Sequence, residues 1–231
     1  MSSEAFFPGG SILGAEKRSE TQPMKDALAV IRERTSINHF DLSKQISKAE
    51  IRDIVADATQ APSSYNIQHW RFVAVTDPEK KKQLQAAAYN QAKVGQASAT
   101  VIVLGDLRGY EKLNKILAPL VRAGTITQDA AESSARRAAA PYVSNPQFQR
   151  DEAIRSGALA AMTLMLAAQA RGYATGPMIG FDPEKVKALF GISDRYVPVM
   201  LITLGHAAPG NAPRKPRLGV DEVLLFNQGG F

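Results

Sequence analysis

The chain has 231 residues, of which 45% are hydrophobic and 22% charged, a profile that suits one substantial core and argues against disorder. It contains no cysteine, which excludes disulfides, thiolate metal sites and cysteine nucleophiles, and its three histidines (His39, His69, His206) are too scattered to suggest a metal centre. The formal net charge is +6, but the basic residues are dispersed and Lys80-Lys81-Lys82 is their one dense run, which reads as a solvated helix face rather than a nucleic-acid patch.

Residues 1–23 read as an extended arm. They lack a continuous apolar core, so they do not read as a secretion signal. The most apolar stretch, 157–168, is short and rich in small residues, which argues against a membrane span. A cytoplasmic protein is expected. Helical spacing of Ala27, Leu28, Val30 and Ile31 begins near Met24 and stops at Arg34. Ser47 and Glu50 form a capping box, and Ile51, Ile54, Val55 and Ala58 then share one helix face, ended by Pro62. Trp70 to Thr76 reads as a strand closed by Asp77-Pro78, itself a helix start.

Thr100 to Leu104 is apolar on both faces and reads as a central strand. Residues 108–140 hold two helical patterns separated by Gly124-Thr125. Asn145-Pro146 opens the longest helix, which runs to Arg171 before Gly172. From Gly157 it is apolar nearly all round, so it is expected to be fully buried, in a core shared with a second subunit. Asp182-Pro183-Glu184 starts a short helix ending at Gly191. Val197 to Leu204 is a third buried strand, and Val220 to Phe226 reads as an extended tail strand. The order is that of an α+β fold: a central, mostly antiparallel sheet wrapped by helices, with 24–231 as a single domain.

Three clusters carry candidate chemistry. Arg34 and Ser36 offer a guanidinium fork and a hydroxyl that suit phosphate, although a helix-end arginine facing its own carbonyls is the simpler reading. Lys215 and Arg217 point the same way if that segment is extended, although taken alone a solubilising basic tail is the simpler reading. Between helix and strand, Pro62-Ser63-Ser64-Tyr65-Asn66-Ile67-Gln68-His69-Trp70 presents backbone N–H groups, hydroxyls and amides. His206 reads as a turn residue closing a strand, and Tyr65 and Tyr89 as packing or pocket-wall aromatics.

Taken in order, R-T-S-x-N-x-F, A-P-S-S-x-N-x-Q-x-W-R-F, G-P-M-I-G-F-D, Y-V-P-V-M-L-I-T-L-G-H and K-P-R resemble the nitroreductase family of FMN-dependent oxidoreductases. The resemblance covers about Met24 to Phe226, and 145–155 is similar to its NAD(P)H nitroreductase subgroup. It implies a domain-swapped homodimer with FMN at the subunit interface. Arg34, Ser36, Lys215 and Arg217 would hold the FMN phosphate, with Thr35 contributing backbone. Asn38 would lie under the pyrimidine edge. Pro62, Ser63, Ser64 and Asn66 would serve the partner subunit's flavin. Asn90 and Lys93 would contact the N3/O4 and N1/O2 sides, while Pro177, Met178, Ile179 and Gly180 would cover one flavin face, with the Ile179 and Gly180 N–H groups at N5 and O4.

The implied activity is ping-pong: hydride from NAD(P)H to flavin N5, then reduction of a nitroaromatic or quinone in the same pocket, with residues 108–140 shaping acceptor choice. No side chain is assigned as catalytic, and neither nucleic acid nor membrane is expected as a partner. An enone, semialdehyde or halogenated aromatic as acceptor is the alternative, as is a flavin-binding storage or regulatory protein. Many family members carry Lys or Arg where this chain has Asn38, which implies a less positive flavin potential here.

Overall fold

The computed structural model describes residues 26–227 and 229–230. The arm read over 1–23 and the proposed helix start at Met24 lie outside them. Four strands, β1 (Trp70–Val75), β2 (Ala99–Asp106), β3 (Ala174–Met178) and β4 (Tyr196–Gly205), form one sheet in the order β1-β2-β4-β3. Every adjacent pair is antiparallel. The helices are α1 (Ala27–Glu33), α2 (Lys48–Ala58), α3 (Pro78–Ala87), α4 (Ala92–Gln96), α5 (Leu113–Arg122), α6 (Gln128–Ala139), α7 (Pro146–Ala170) and α8 (Pro183–Phe190). This is the expected α+β architecture.

Strand alternation sets the layers. Every residue of β2 is buried. Val101 and Val103 pack with Ile54, Ala58 and Leu164 against α2 and α7. Ile102 and Leu104 face the other way and pack with Leu84, Val94 and Val186 of α3, α4 and α8. Burial of each such side chain contributes roughly 1.5–3 kcal/mol. A Cβ on Gly105 would lie 2.6 Å from the Ala153 carbonyl oxygen, so glycine lets α7 approach the sheet closely here. The pairing slips between Val103 and Leu104, opposite Met200 and Pro198. A proline has no N–H for the ladder, and the bulge absorbs that loss.

Local signals account for most element ends. Ser47 and Glu50 make the reciprocal capping box, Asp77 and Asp182 accept from the first turns of α3 and α8, and Gly191 ends α8 in the left-handed region at φ 62°. In α1 the cap is Asp26, whose side chain accepts from Ala29 N–H.

Three expectations need correction. The tail 220–226 is not a strand: Val220–Glu222 is a 3-10 turn, closed by Gly219 N–H donating to the Glu222 carboxylate at 2.8 Å. A strand requires a neighbouring edge to bond, and no element of the described chain takes that role for the tail. Within one chain the core helix α7 is not buried all round, because Leu159 and Met162 are exposed at 42% and 38%. Its inner face packs on the sheet and α2, α1 also touches it, and no described element covers Leu159 and Met162. By length and composition α7 could cross a membrane, but its packing is that of a core helix. Finally, Lys81 in the basic run is buried, its ammonium donating to the Ala97 carbonyl at 2.7 Å, so the solvated-face reading fails for that residue.

Candidate functional site

The site forms where β3, the segment after α1, and the segment after β4 meet. Ser36 bridges in parallel to Thr175 of β3, and Ile37 N–H donates to the Thr175 carbonyl at 3.0 Å. Gly176 permits this approach: a Cβ there would sit 2.5 Å from the Ile37 carbonyl oxygen and 2.6 Å from Thr203 Oγ1. On the other side, the Asn211 side chain accepts from the N–H groups of Asn38 and His39 at 2.8 and 3.0 Å and donates to the His39 carbonyl at 2.8 Å. Residues 36–39 are therefore held from both flanks by hydrogen bonds.

This frame leaves Arg34 in an unusual position. One guanidinium nitrogen, Nη1, is buried and has no hydrogen-bond partner among the described residues. Burial lowers the Arg34 pKa first, and the nearby charges of Arg217 and Arg214 lower it further. Buried, unpaired donors are costly, and like charges gathered at one point add to the cost. A bound anion would relieve both. The structure thus brings the charges of Arg34 and Arg217 near one another. Arg214 is an addition that the sequence pattern did not suggest, because it precedes the K-P-R motif. Thr35 is half-buried beside Arg34, and Lys215 is exposed on the same segment as Arg214 and Arg217.

A second cation lies nearby. Lys93, in α4, donates to Asn38 Oδ1 at 3.3 Å, and burial lowers its pKa. Asn38 and Lys93 are therefore brought together as the motif reading expected. Asn90 sits in the turn before α4 with φ 57°, after Tyr89 at φ 54°. Both are exposed left-handed residues, a conformation that costs energy away from glycine and gathers at functional turns. Opposite them the chain leaves β3 through Pro177, Met178, Ile179 and Gly180. Gln91 bridges this gap, donating from Nε2 to the Gly180 carbonyl at 2.8 Å. Ile179 is 80% exposed, so this segment presents itself outward.

The middle cluster lies elsewhere. Pro62, Ser63, Ser64 and Asn66 precede β1, on one sheet edge, whereas Ser36 and Thr175 are at the other. Trp70 pairs with Gly105, near one end of β2, and Thr175 with Leu204, whose β2 partner is Ala99 at the other end. Strand spacing and rise put these corners on the order of 25 Å apart. One chain does not bring the two clusters together. The loop itself is tightly shaped: Tyr65, Asn66 and Gln68 have φ of 49°, 54° and 56°, and Ser63 Oγ accepts from Gln68 N–H at 3.0 Å. Beneath it, His69 and Tyr142 are fully buried with ring centroids 5.6 Å apart. His69 Nδ1 lies 3.1 Å from Ser156 Oγ, and burial pulls its pKa down to about 4 despite the opposing charge of Asp106. It is a neutral core histidine.

The excursion 108–140 is anchored at its root by buried Asp106, which accepts from Arg195 Nε at 2.7 Å and from the Lys112 ammonium at 3.1 Å. Burial alone would raise this carboxyl, but the bonds from Arg195 and Lys112 outweigh it and its pKa is lowered. His206 follows β4 and packs edge-on against Tyr173, with centroids 5.2 Å apart, and the described residues contain no His/Cys/Asp/Glu cluster able to hold a metal. Tyr65 and Tyr89 are exposed, so neither packs in the core of the chain.

The sequence model of the Nitroreductase family matches residues 31–206. The chain belongs to the nitroreductase family. Among its relatives is "Putative NAD(P)H nitroreductase YodC" of Bacillus subtilis, 41% identical over 203 residues, covering 88% of this chain and all of that one. The "CLA biosynthesis enone reductase" of Lactiplantibacillus plantarum is 32% identical over 79% of this chain and 86% of its own. A solved structure described as a "putative nitroreductase in complex with FMN", from Exiguobacterium sibiricum, superposes with a TM-score of 0.82 at 33% identity, over 89% of this chain and 99% of that one. The nitroreductase fold inferred from the motifs is thereby established.

Proposed function

We propose that this nitroreductase-family chain is an FMN enzyme that oxidises NAD(P)H and reduces a nitroaromatic or quinone-type acceptor by a ping-pong route. The observation that carries the reading is the buried Arg34 Nη1, unpartnered among the described residues and near the charges of Arg217 and Arg214. Three guanidinium charges converging on an unfilled donor suit a phosphate dianion. FMN would supply the chemistry, hydride acceptance at N5 and delivery to the acceptor.

The chain's own residues then have distinct tasks. Arg34, Ser36, Lys215 and Arg217 hold the phosphate, with Thr35 backbone beside them and Arg214 adding charge. Lys93, oriented by Asn38, offsets negative charge near the pyrimidine edge. Asn90 recognises the ring edge, while Pro177, Met178, Ile179 and Gly180 wall one face. Pro62, Ser63, Ser64 and Asn66 serve the flavin of a partner subunit. Two features favour that homodimer: the separation of the clusters, and the exposed apolar side chains of Leu28, Ile31, Leu159, Met162 and Phe226. Residues 108–140 shape the acceptor pocket, and residues 24–231 act as one domain in a cytoplasmic protein.

The test is direct. Purified protein should be yellow, should run as a dimer, and should bleach anaerobically with NADPH or NADH and recover colour with a quinone. A protein that cannot be reconstituted with FMN defeats the reading. Enone reduction is the second reading, favoured by the relative from Lactiplantibacillus plantarum. Turnover of an enone with none of nitroaromatics or quinones would select it.

A further inference from the structure

We propose that Gln91 is a positioning residue that sets the Gly180 N–H toward the flavin N5/O4 edge; this rests on the FMN reading above. Gln91 is the N-cap residue of α4, yet its side chain makes no capping bond. Instead Nε2 donates to the Gly180 carbonyl at 2.8 Å and to the Ala88 carbonyl at 3.2 Å. Both acceptors are carbonyl oxygens, so only the NH₂ end of the amide can face them, and the side-chain orientation is settled.

The consequence falls on the turn after β3. Phe181 N–H donates to the Ile179 carbonyl at 3.0 Å. Gln91 takes the Gly180 carbonyl. The peptide units on both sides of Gly180 are thus fixed by their oxygens. Among the described residues the Gly180 N–H has no partner of its own. In a trans peptide the N–H points opposite to the carbonyl, so the Gly180 N–H is directed away from the Ile179–Phe181 bond. The same turn is pinned further on, where Asp182 N–H donates to the Ala87 carbonyl at 2.8 Å.

Gln91 is itself placed by the two left-handed residues before it, Tyr89 and Asn90. It therefore links the Asn90 turn, on one side of the ring, to the Ile179–Gly180 turn on the other. The fit is close: a Cβ on Gly180 would lie 3.2 Å from Gln91 Nε2. Glycine at 180 leaves room for the amide. A donor aimed in advance at the place where charge develops assists transfer without reorganisation.

The experiment compares Gln91→Met, similar in length and without a donor, and Gly180→Ala, which crowds the amide from the other side, with wild type. FMN dissociation constant, midpoint potential and single-turnover bleaching by NAD(P)H are measured for each. The phosphate clamp is untouched in Gln91→Met, so FMN affinity should stay within about twofold, while bleaching slows about tenfold because one aimed donor is lost, not the cofactor. The midpoint potential should move to lower values. Because both substitutions act through one contact, Gln91→Met with Gly180→Ala should slow bleaching less than the product of the single effects.

Unchanged potential and bleaching in Gln91→Met overturn the proposal, as does a fall in FMN affinity that matches the loss of rate, which marks a merely structural glutamine. Should Gln91→Met fail to fold, Gly180→Ala decides alone by the same two readouts. Wild type that binds no FMN overturns the underlying reading instead, so the two failures are told apart.

Discussion

Replacing Arg34 with Met should make the apoprotein more stable and the flavin complex weaker. Methionine keeps an apolar stem in the half-buried slot and removes the guanidinium. In the apoprotein, Arg34 Nη1 is buried without a partner among the described residues, and Arg217 and Arg214 oppose its charge. An unsatisfied buried donor costs about 1–3 kcal/mol. Recovering about 1 kcal/mol of that should raise the apoprotein melting temperature by roughly 2–4 °C for a chain of this size. Binding should move the other way. A hydrogen bond to a charged group contributes about 1.5–3 kcal/mol, so the FMN dissociation constant should rise about 10- to 150-fold. Thermal scans of apoprotein, and flavin fluorescence quenching at several salt concentrations, measure the two effects. Wild-type affinity should fall with added salt more steeply than that of the variant. If Arg34→Met binds FMN as tightly as wild type, or if the apoprotein is destabilised by it, Arg34 is a structural helix-end residue and the phosphate assignment fails.

Three further outcomes follow from the same geometry. His69 has a folded pKa of about 4 against an ordinary 6.5, so the neutral form is favoured in the native state. Its contribution to stability is complete above pH 6.5 and is lost as pH falls from there toward 4, so denaturant midpoints should drop over that window, and less so in His69→Phe. Gly176→Ala drives a Cβ against the Ile37 carbonyl and Thr203 Oγ1; it should cost about 1–3 kcal/mol in unfolding experiments and weaken FMN binding by parting Ser36 from Thr175. Asn38→Lys places a second ammonium beside Lys93, and redox titration should find a higher flavin potential; no upward shift would remove Asn38 from the account of the potential.

Much of this site was legible in the chain because its parts are local. Arg34 and Ser36 directly follow a short helix, Lys93 follows Asn90 by one helical turn, and motifs of this kind survive in linear order. The capping box of Ser47 and Glu50, the Asp-Pro helix starts and the alternation in β2 were read in the same way, since each depends on neighbours within a few residues. β3 escaped notice: Ala-Thr-Gly-Pro-Met lacks alternation and contains glycine and proline, and it is a strand because β4 and Ser36 offer it hydrogen bonds. Arg214, Asn211 and Gln91 escaped too, since nothing in their surroundings along the chain reveals what lies 89 residues or more away in sequence and beside them in the fold.

The sequence by itself determined the family, the α+β class and the positions of most helices and central strands, because these rest on motifs, local propensity and residue chemistry. Only the tertiary structure decided that Arg34 Nη1 is buried and, among the described residues, unpaired near two other arginines, that the loop before β1 stands at the far corner of the sheet, and that Gln91 holds the Gly180 turn. The physical reason is that desolvation and like-charge proximity belong to the folded environment. A guanidinium carries the same charge wherever it falls in the chain, and packing alone buries one of its donors beside like charges.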